Sequence, residues 1–126
     1  MFKSGNVTLM VSDLGRSVRF YRDALGMHLD YQAGEHWAQL SAPGITVGLH
    51  PRDPKRKAQP AGEALSIGFE VDHLDQTMAI LQARGVEFKP EIQEDPGLRI
   101  AFFGDPDGTP LYLMQTLRKG GPEGWN

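Results

Sequence analysis

The side chains able to do chemistry in this 126-residue chain are few. Of its four histidines, His50 is the polar candidate of most interest. An imidazole titrates near neutrality and can serve as a hydrogen-bonding group or a general base. His28, His36 and His73 fall at strand or helix starts and read as surface residues. No two histidines have the spacing of a metal-ligand pair. Glu70 offers a carboxylate on a strand-like stretch, facing either a cavity or its solvent rim. The absence of cysteine excludes disulfides, thiolate catalysis and cysteine zinc sites. No serine, histidine and acid pattern of the hydrolase kind is legible, nor a carboxylate pair for glycoside chemistry. Aromatic surface comes from Tyr31, Trp37, Phe102, Tyr112 and Trp125. Such rings stack on flat ligands and attract cations, or simply fill a core.

These residues need elements to hold them, and the chain supplies those elements twice. Residues 6–27 and 66–86 resemble one another at an offset of 60. Val11 aligns with Val71, Leu14 with Leu74, Ser17 with Thr77 and Phe20 with Ile80. Gly26 meets Gly85 only after a one-residue deletion. An internal repeat decides the architecture, so it takes precedence over local signals. Each copy opens on an alternating stretch. Val7, Leu9 and Val11 share one face, as do Ile67, Phe69 and Val71. Asp13 and Asp72 are candidate helix N-caps, and apolar residues then recur at helical spacing. Gly26 and Gly85 suit the left-handed backbone of a helix stop. Three shorter strands follow in each copy, at 28–33, 36–41 and 45–50, then at 87–92, 98–103 and 110–116. Turns rich in Gly, Pro and Asp separate them.

Each copy therefore reads βαβββ. The fold class is α+β, one domain of two modules: module one about 4–50, a linker about 51–64, module two about 65–117 and a tail at 118–126. A helix on one face of a four-stranded sheet leaves the other face open. Two open faces could then make a concave site for a small molecule. By alternation, Asn6, Thr8 and Met10 face this cavity from the first strand, and Ser66, Gly68 and Glu70 from its counterpart. Pro110, Tyr112 and Met114 face it from the last strand, with Ile100 and Phe102 beside them. Gly48 and Gly68 would enlarge the space, unless they only mark bulges.

Composition sets the remaining bounds. Apolar residues make up 40% and charged residues 23%, which is ordinary globular usage. A chain of this size can bury about two-thirds of its unfolded surface. Net charge is −3, so nucleic acid is not an expected partner. The basic cluster of Arg52, Lys55, Arg56 and Lys57 has no interleaved aromatics and reads as a solvated loop. Residues 1–61 carry 8 basic and 5 acidic groups, and residues 62–126 carry 5 and 11. That asymmetry could help two chains associate. No apolar run approaches a membrane span, and the first ten residues lack the pattern of a signal peptide. Cytoplasmic location is the expectation.

Three motifs occur in order. They are Val11-Ser12-Asp13-Leu14 with Ser17 and Phe20-Tyr21, then Phe69-Glu70-Val71-Asp72 with Leu74, then Asp105-Pro106-Asp107-Gly108. Together they resemble the vicinal oxygen chelate superfamily over roughly residues 4–117. That family includes glyoxalases, extradiol dioxygenases, fosfomycin-modifying enzymes and bleomycin-binding resistance proteins, so the fold alone does not fix the function. The resemblance implies four metal-ligand places on cavity-facing strands, usually His or Glu. Carried over, they fall on Asn6, Gly48, Ser66 and Tyr112, with His50 two residues beyond Gly48. These are poor donors for a first-row metal. The resemblance therefore implies a metal-free, cofactor-free binder of an apolar or aromatic small molecule, such as an antibiotic or natural product, acting as a homodimer. The expected ligand contacts are Asn6, Thr8, Met10, Trp37, Gly48 and His50, with Ser66, Glu70, Phe102, Tyr112 and Met114. The alternative is a lyase or dioxygenase-type enzyme with an atypical site using His50 and Glu70, or a cofactor-independent catalyst with His50 as base.

Overall fold

The computed structural model describes residues 1–53, 65–95 and 97–116. The chain forms two compact units, 1–60 and 61–126. Each is a four-stranded mixed sheet carrying a helix. Lys55, Arg56, Lys57 and Trp125 lie outside the described residues.

The first unit runs β1 (Val7–Val11), α1 (Leu14–Arg19), β2 (His28–Ala33), β3 (Trp37–Ala42) and β4 (Ile45–Pro51). Its strand order is β1-β4-β3-β2, with β1 parallel to β4 and the other pairs antiparallel. Period-two alternation fixes which face is buried. Leu9 and Val11, Ala38 and Leu40, and Val47 and Leu49 all turn inward. They meet Leu14, Val18 and Tyr21, and α1 packs on β3 and β4. Asp13 caps α1 by accepting from the Arg16 amide at 3.0 Å, as its position in the sequence predicts.

Past Arg19 the helix loosens into a π-type turn, Phe20–Ala24. The Leu25 amide reaches back five residues to the Phe20 carbonyl at 3.0 Å. A π-turn absorbs one extra residue in a helix. It is the physical form of the one-residue difference between the two copies of the repeat. Tyr21 stays fully buried at the start of this turn.

The second unit runs β5 (Ile67–Glu70), α2 (Leu74–Ala83), β6 (Phe88–Asp95), β7 (Leu98–Gly104) and β8 (Pro110–Thr116), in the order β5-β8-β7-β6. Ile67, Ala101, Phe103, Leu111 and Leu113 form its buried face with Leu74, Leu81 and Val86. Arg99 points to the helix side and pairs with Asp75 at 3.2 Å and Glu94 at 3.0 Å. These carboxylates hold its guanidinium above the usual arginine range, the hydrogen bond to Asp75 contributing most.

Asp72 is not the cap of α2. That place belongs to His73, whose side chain makes no capping bond. The Leu74 amide donates instead to Gln115 Oε1 on β8 at 2.7 Å. A neighbouring strand thus satisfies an amide that a local carboxylate would otherwise cap. The Asp105-Pro106-Asp107-Gly108 turn is organised by Asp105, which is 7% exposed. Its Oδ1 accepts from the Asp107 amide at 2.9 Å and the Thr109 amide at 2.8 Å. Gly108 supplies the positive φ of 82° that the turn requires.

Candidate functional site

In each unit, the sheet face away from the helix carries the candidate residues. On the first unit the register lays them out in rows. One row pairs Met10 with His50 across β1 and β4, and Trp37 pairs with Ala33 across β3 and β2. The next pairs Thr8 with Gly48, Gly48 with Gln39, and Gln39 with Tyr31. A third pairs Thr46 with Ser41 and Ser41 with His28. Thr8, Met10 and His50 are exposed and Trp37 is half-buried. Asn6 is exposed just before β1, and the Thr8 hydroxyl donates to its Oδ1 at 3.4 Å.

Gly48 is buried although it has no side chain. The Trp37 indole lies on it, and a Cβ at Gly48 would overlap the ring carbons. The glycine therefore does not open space. It makes room for an aromatic plate from the neighbouring strand. The indole Nε1 is itself buried and finds no hydrogen-bond partner among the described residues.

The second unit repeats the device with other residues. Gly68 and Tyr112 are direct partners across β5 and β8, and the Tyr112 ring lies on Gly68. Tyr112 also meets Phe102 on β7, ring centres 5.9 Å apart and tilted by 49°. Met114 pairs with exposed Glu70 on one side and Ile100 on the other. Ser66 is exposed just before β5. Gln93 on β6 continues this row beyond Ile100, so the face combines apolar and aromatic residues with Glu70 and Gln93.

Two features escaped the sequence reading. A bulge between Leu29 and Tyr31 frees Asp30 from strand pairing. Its carboxylate accepts from Ser41 Oγ at 2.7 Å and Gln39 Nε2 at 3.3 Å, and meets His28 Nδ1 at 3.0 Å. These bonds, that to His28 foremost, hold the carboxyl below the usual aspartate range. The second is a groove of about 410 Å³ at the end of β4, lined by Met10, His36, His50, Pro51, Arg52 and Asp53. His36 thus joins His50, although its place before β3 marked it only as a surface residue. The Arg52 amide donates to the Val11 carbonyl at 2.7 Å and extends the β1–β4 ladder to the groove floor.

Comparison with known proteins agrees with this architecture. The family model for the Glyoxalase/Bleomycin resistance protein/Dioxygenase superfamily matches residues 3–113. The chain belongs to this superfamily. YraH of Bacillus subtilis is 33% identical, over 88% of this chain and 96% of that protein. TnmS3, described as an antibiotic binding protein from a Streptomyces species, is 30% identical with a TM-score of 0.70, over 92% of this chain and 98% of that one. A glyoxalase/bleomycin resistance protein/dioxygenase from Nocardioides has a TM-score of 0.73 at 24% identity, covering 97% of this chain and 89% of its own, and shows the shared fold.

The residues at the superfamily's ligand places do not fit a divalent transition metal. Asn6 offers a carbonyl oxygen and Gly48 no donor, with the Trp37 ring lying on it. Ser66 offers a neutral hydroxyl, and the Tyr112 phenol is packed on Gly68. Such ions are held by imidazole, thiolate or carboxylate. Among the described residues, no group of three or more His, Asp or Glu side chains is placed to hold one. No helix among them is long and apolar enough to cross a membrane.

Proposed function

We propose that this protein binds a flat, mostly apolar small molecule without a metal, in the manner of an antibiotic- or natural-product-sequestering member of its superfamily. One observation carries the reading. At Gly48 and Tyr112, two of the places where relatives are expected to hold ligands to a metal, this chain has aromatic rings laid on glycines. Aromatic plates on an open sheet face offer stacking area at little conformational cost. The unpartnered Trp37 N–H favours a ligand that brings an acceptor to it. The likeness to TnmS3 supports the same reading. We further propose that the two units act together as one domain, in a cytoplasmic homodimer. The test of the dimer is the mass in solution by light scattering.

The deciding experiment titrates a panel of aromatic antibiotics into the protein, read by tryptophan fluorescence, with and without EDTA. The expected result is saturable binding of at least one compound, unchanged by the chelator and with its fluorescence signal lost in Trp37→Phe. Binding that disappears in EDTA and returns with zinc or manganese would overturn the proposal. Metal-dependent turnover of a bound compound would do the same.

A further inference from the structure

The groove at the end of β4 has a chemical preference that follows from one hydrogen bond. His50 Nδ1 lies 2.7 Å from the Pro51 carbonyl oxygen. A carbonyl oxygen can only accept, so Nδ1 carries the hydrogen. A neutral imidazole has one N–H, and its Nε2 is then a lone-pair acceptor. The carbonyl that sets this tautomer is itself fixed. Pro51 is in register with Val11, and the next amide along, that of Arg52, donates to Val11. His50 therefore brings to the groove an acceptor whose identity the backbone ladder determines.

The remaining walls narrow the partner. Met10, in register with His50, is 49% exposed although it is a large apolar side chain. Pro51 adds a second apolar surface. A thioether beside an aromatic ring is a favourable contact. Arg52 and Asp53 line the same groove with opposite charges, so the charge of the walls selects neither sign and the choice falls to the Nε2 acceptor and the apolar surface. We propose that this groove recognises a phenol: the hydroxyl donates to His50 Nε2 while the ring rests on Met10 and Pro51. This inference rests on the small-molecule reading above and names the ligand group that the first unit takes.

The test uses two probes of equal shape, 2-naphthol and 2-methoxynaphthalene. Only the first can donate a hydrogen bond. Affinities are measured by calorimetry on the full chain and on His50→Phe, an exposed position where the substitution leaves the fold intact. A long-range proton–nitrogen NMR spectrum reads the His50 tautomer in parallel. In the native chain, 2-naphthol should bind about tenfold tighter, the worth of one hydrogen bond. In His50→Phe the preference should vanish, the two probes binding with equal affinity. The spectrum should show the hydrogen on Nδ1. Equal affinities in the native chain, a preference that survives in His50→Phe, or the hydrogen on Nε2 would each overturn the proposal. In the first case, binding of both probes leaves the small-molecule reading standing. Failure of both probes to bind overturns the phenol proposal, and the antibiotic panel then decides the broader reading on its own.

Discussion

The Tyr112 ring lies against Gly68, its direct partner across β5 and β8. The pair is a lock of two parts. The ring takes the space of the side chain that glycine lacks: a Cβ at Gly68 would overlap it. Gly68→Ala should therefore force Tyr112 off its seat and cost about 1–3 kcal/mol, the usual range for overpacking. In a Tyr112→Ala background the same change should cost much less. Urea midpoints of the four proteins in this double-mutant cycle check it. Additive effects would mean that the two residues are not coupled.

The Asp30 cluster predicts how stability responds to acid. Its folded carboxyl is held below the unfolded value, chiefly by His28, so its contribution is fully present above the unfolded pKa of about 3.9. That contribution is lost as the pH falls through the depressed folded value. Asp30→Asn should therefore be less stable than the native chain at pH 7, with the gap closing below about pH 4. Urea unfolding at several pH values measures the gap. A gap that stays constant down to pH 2 would exclude a role for the carboxylate's charge.

Asp105 predicts a cost confined to one atom. Its Oδ1 accepts two backbone amides of a part-buried turn. Asp105→Ala strips that acceptor away from both amides and should cost about 2–4 kcal/mol. Asp105→Asn keeps an oxygen at that place and should cost less than half as much. Thermal melts of both variants test this. Equal losses would mean that the charge, rather than the acceptor, holds the turn.

What the sequence made legible was whatever depends on neighbours along the chain. Val7, Leu9 and Val11 announced a strand because its period is two residues, and Asp13 announced a cap because its target is three residues on. What it concealed depends on neighbours across the fold. The amide of Leu74 is satisfied by Gln115, 41 residues away, so Asp72 looked like the cap only because it was close. The bulge at Asp30 depends on the pairing of β2 with β3, which no local pattern encodes. The π-turn was visible only indirectly, as a mismatch between repeats. At the candidate site, alternation gave the right sheet faces for Thr8 and Met10, but the glycines misled. Gly48 and Gly68 suggested open space, whereas each lies under a ring supplied by another strand.

Trp37 provides the last prediction, because its ring and its N–H pull in opposite directions. The ring covers Gly48, and removing it should cost about 2–3 kcal/mol, below the range for fully buried aromatics because Trp37 is half-buried. The indole N–H is buried without a partner among the described residues, which costs the folded state about 1–3 kcal/mol of unrecovered solvation. Trp37→Phe deletes that N–H and keeps an aromatic ring on β3, but loses the outer indole atoms that lie on Gly48. Relief of the unmet donor then offsets most of the lost contact area. The variant should fall within about 1 kcal/mol of the native chain, while Trp37→Ala falls far below it. Urea denaturation compares the three. A ligand bound through an acceptor at this N–H should lose affinity in Trp37→Phe even though the fold is intact. If Trp37→Phe were as damaging as Trp37→Ala, the N–H would be engaged in the free protein and the pull toward a ligand acceptor would be absent.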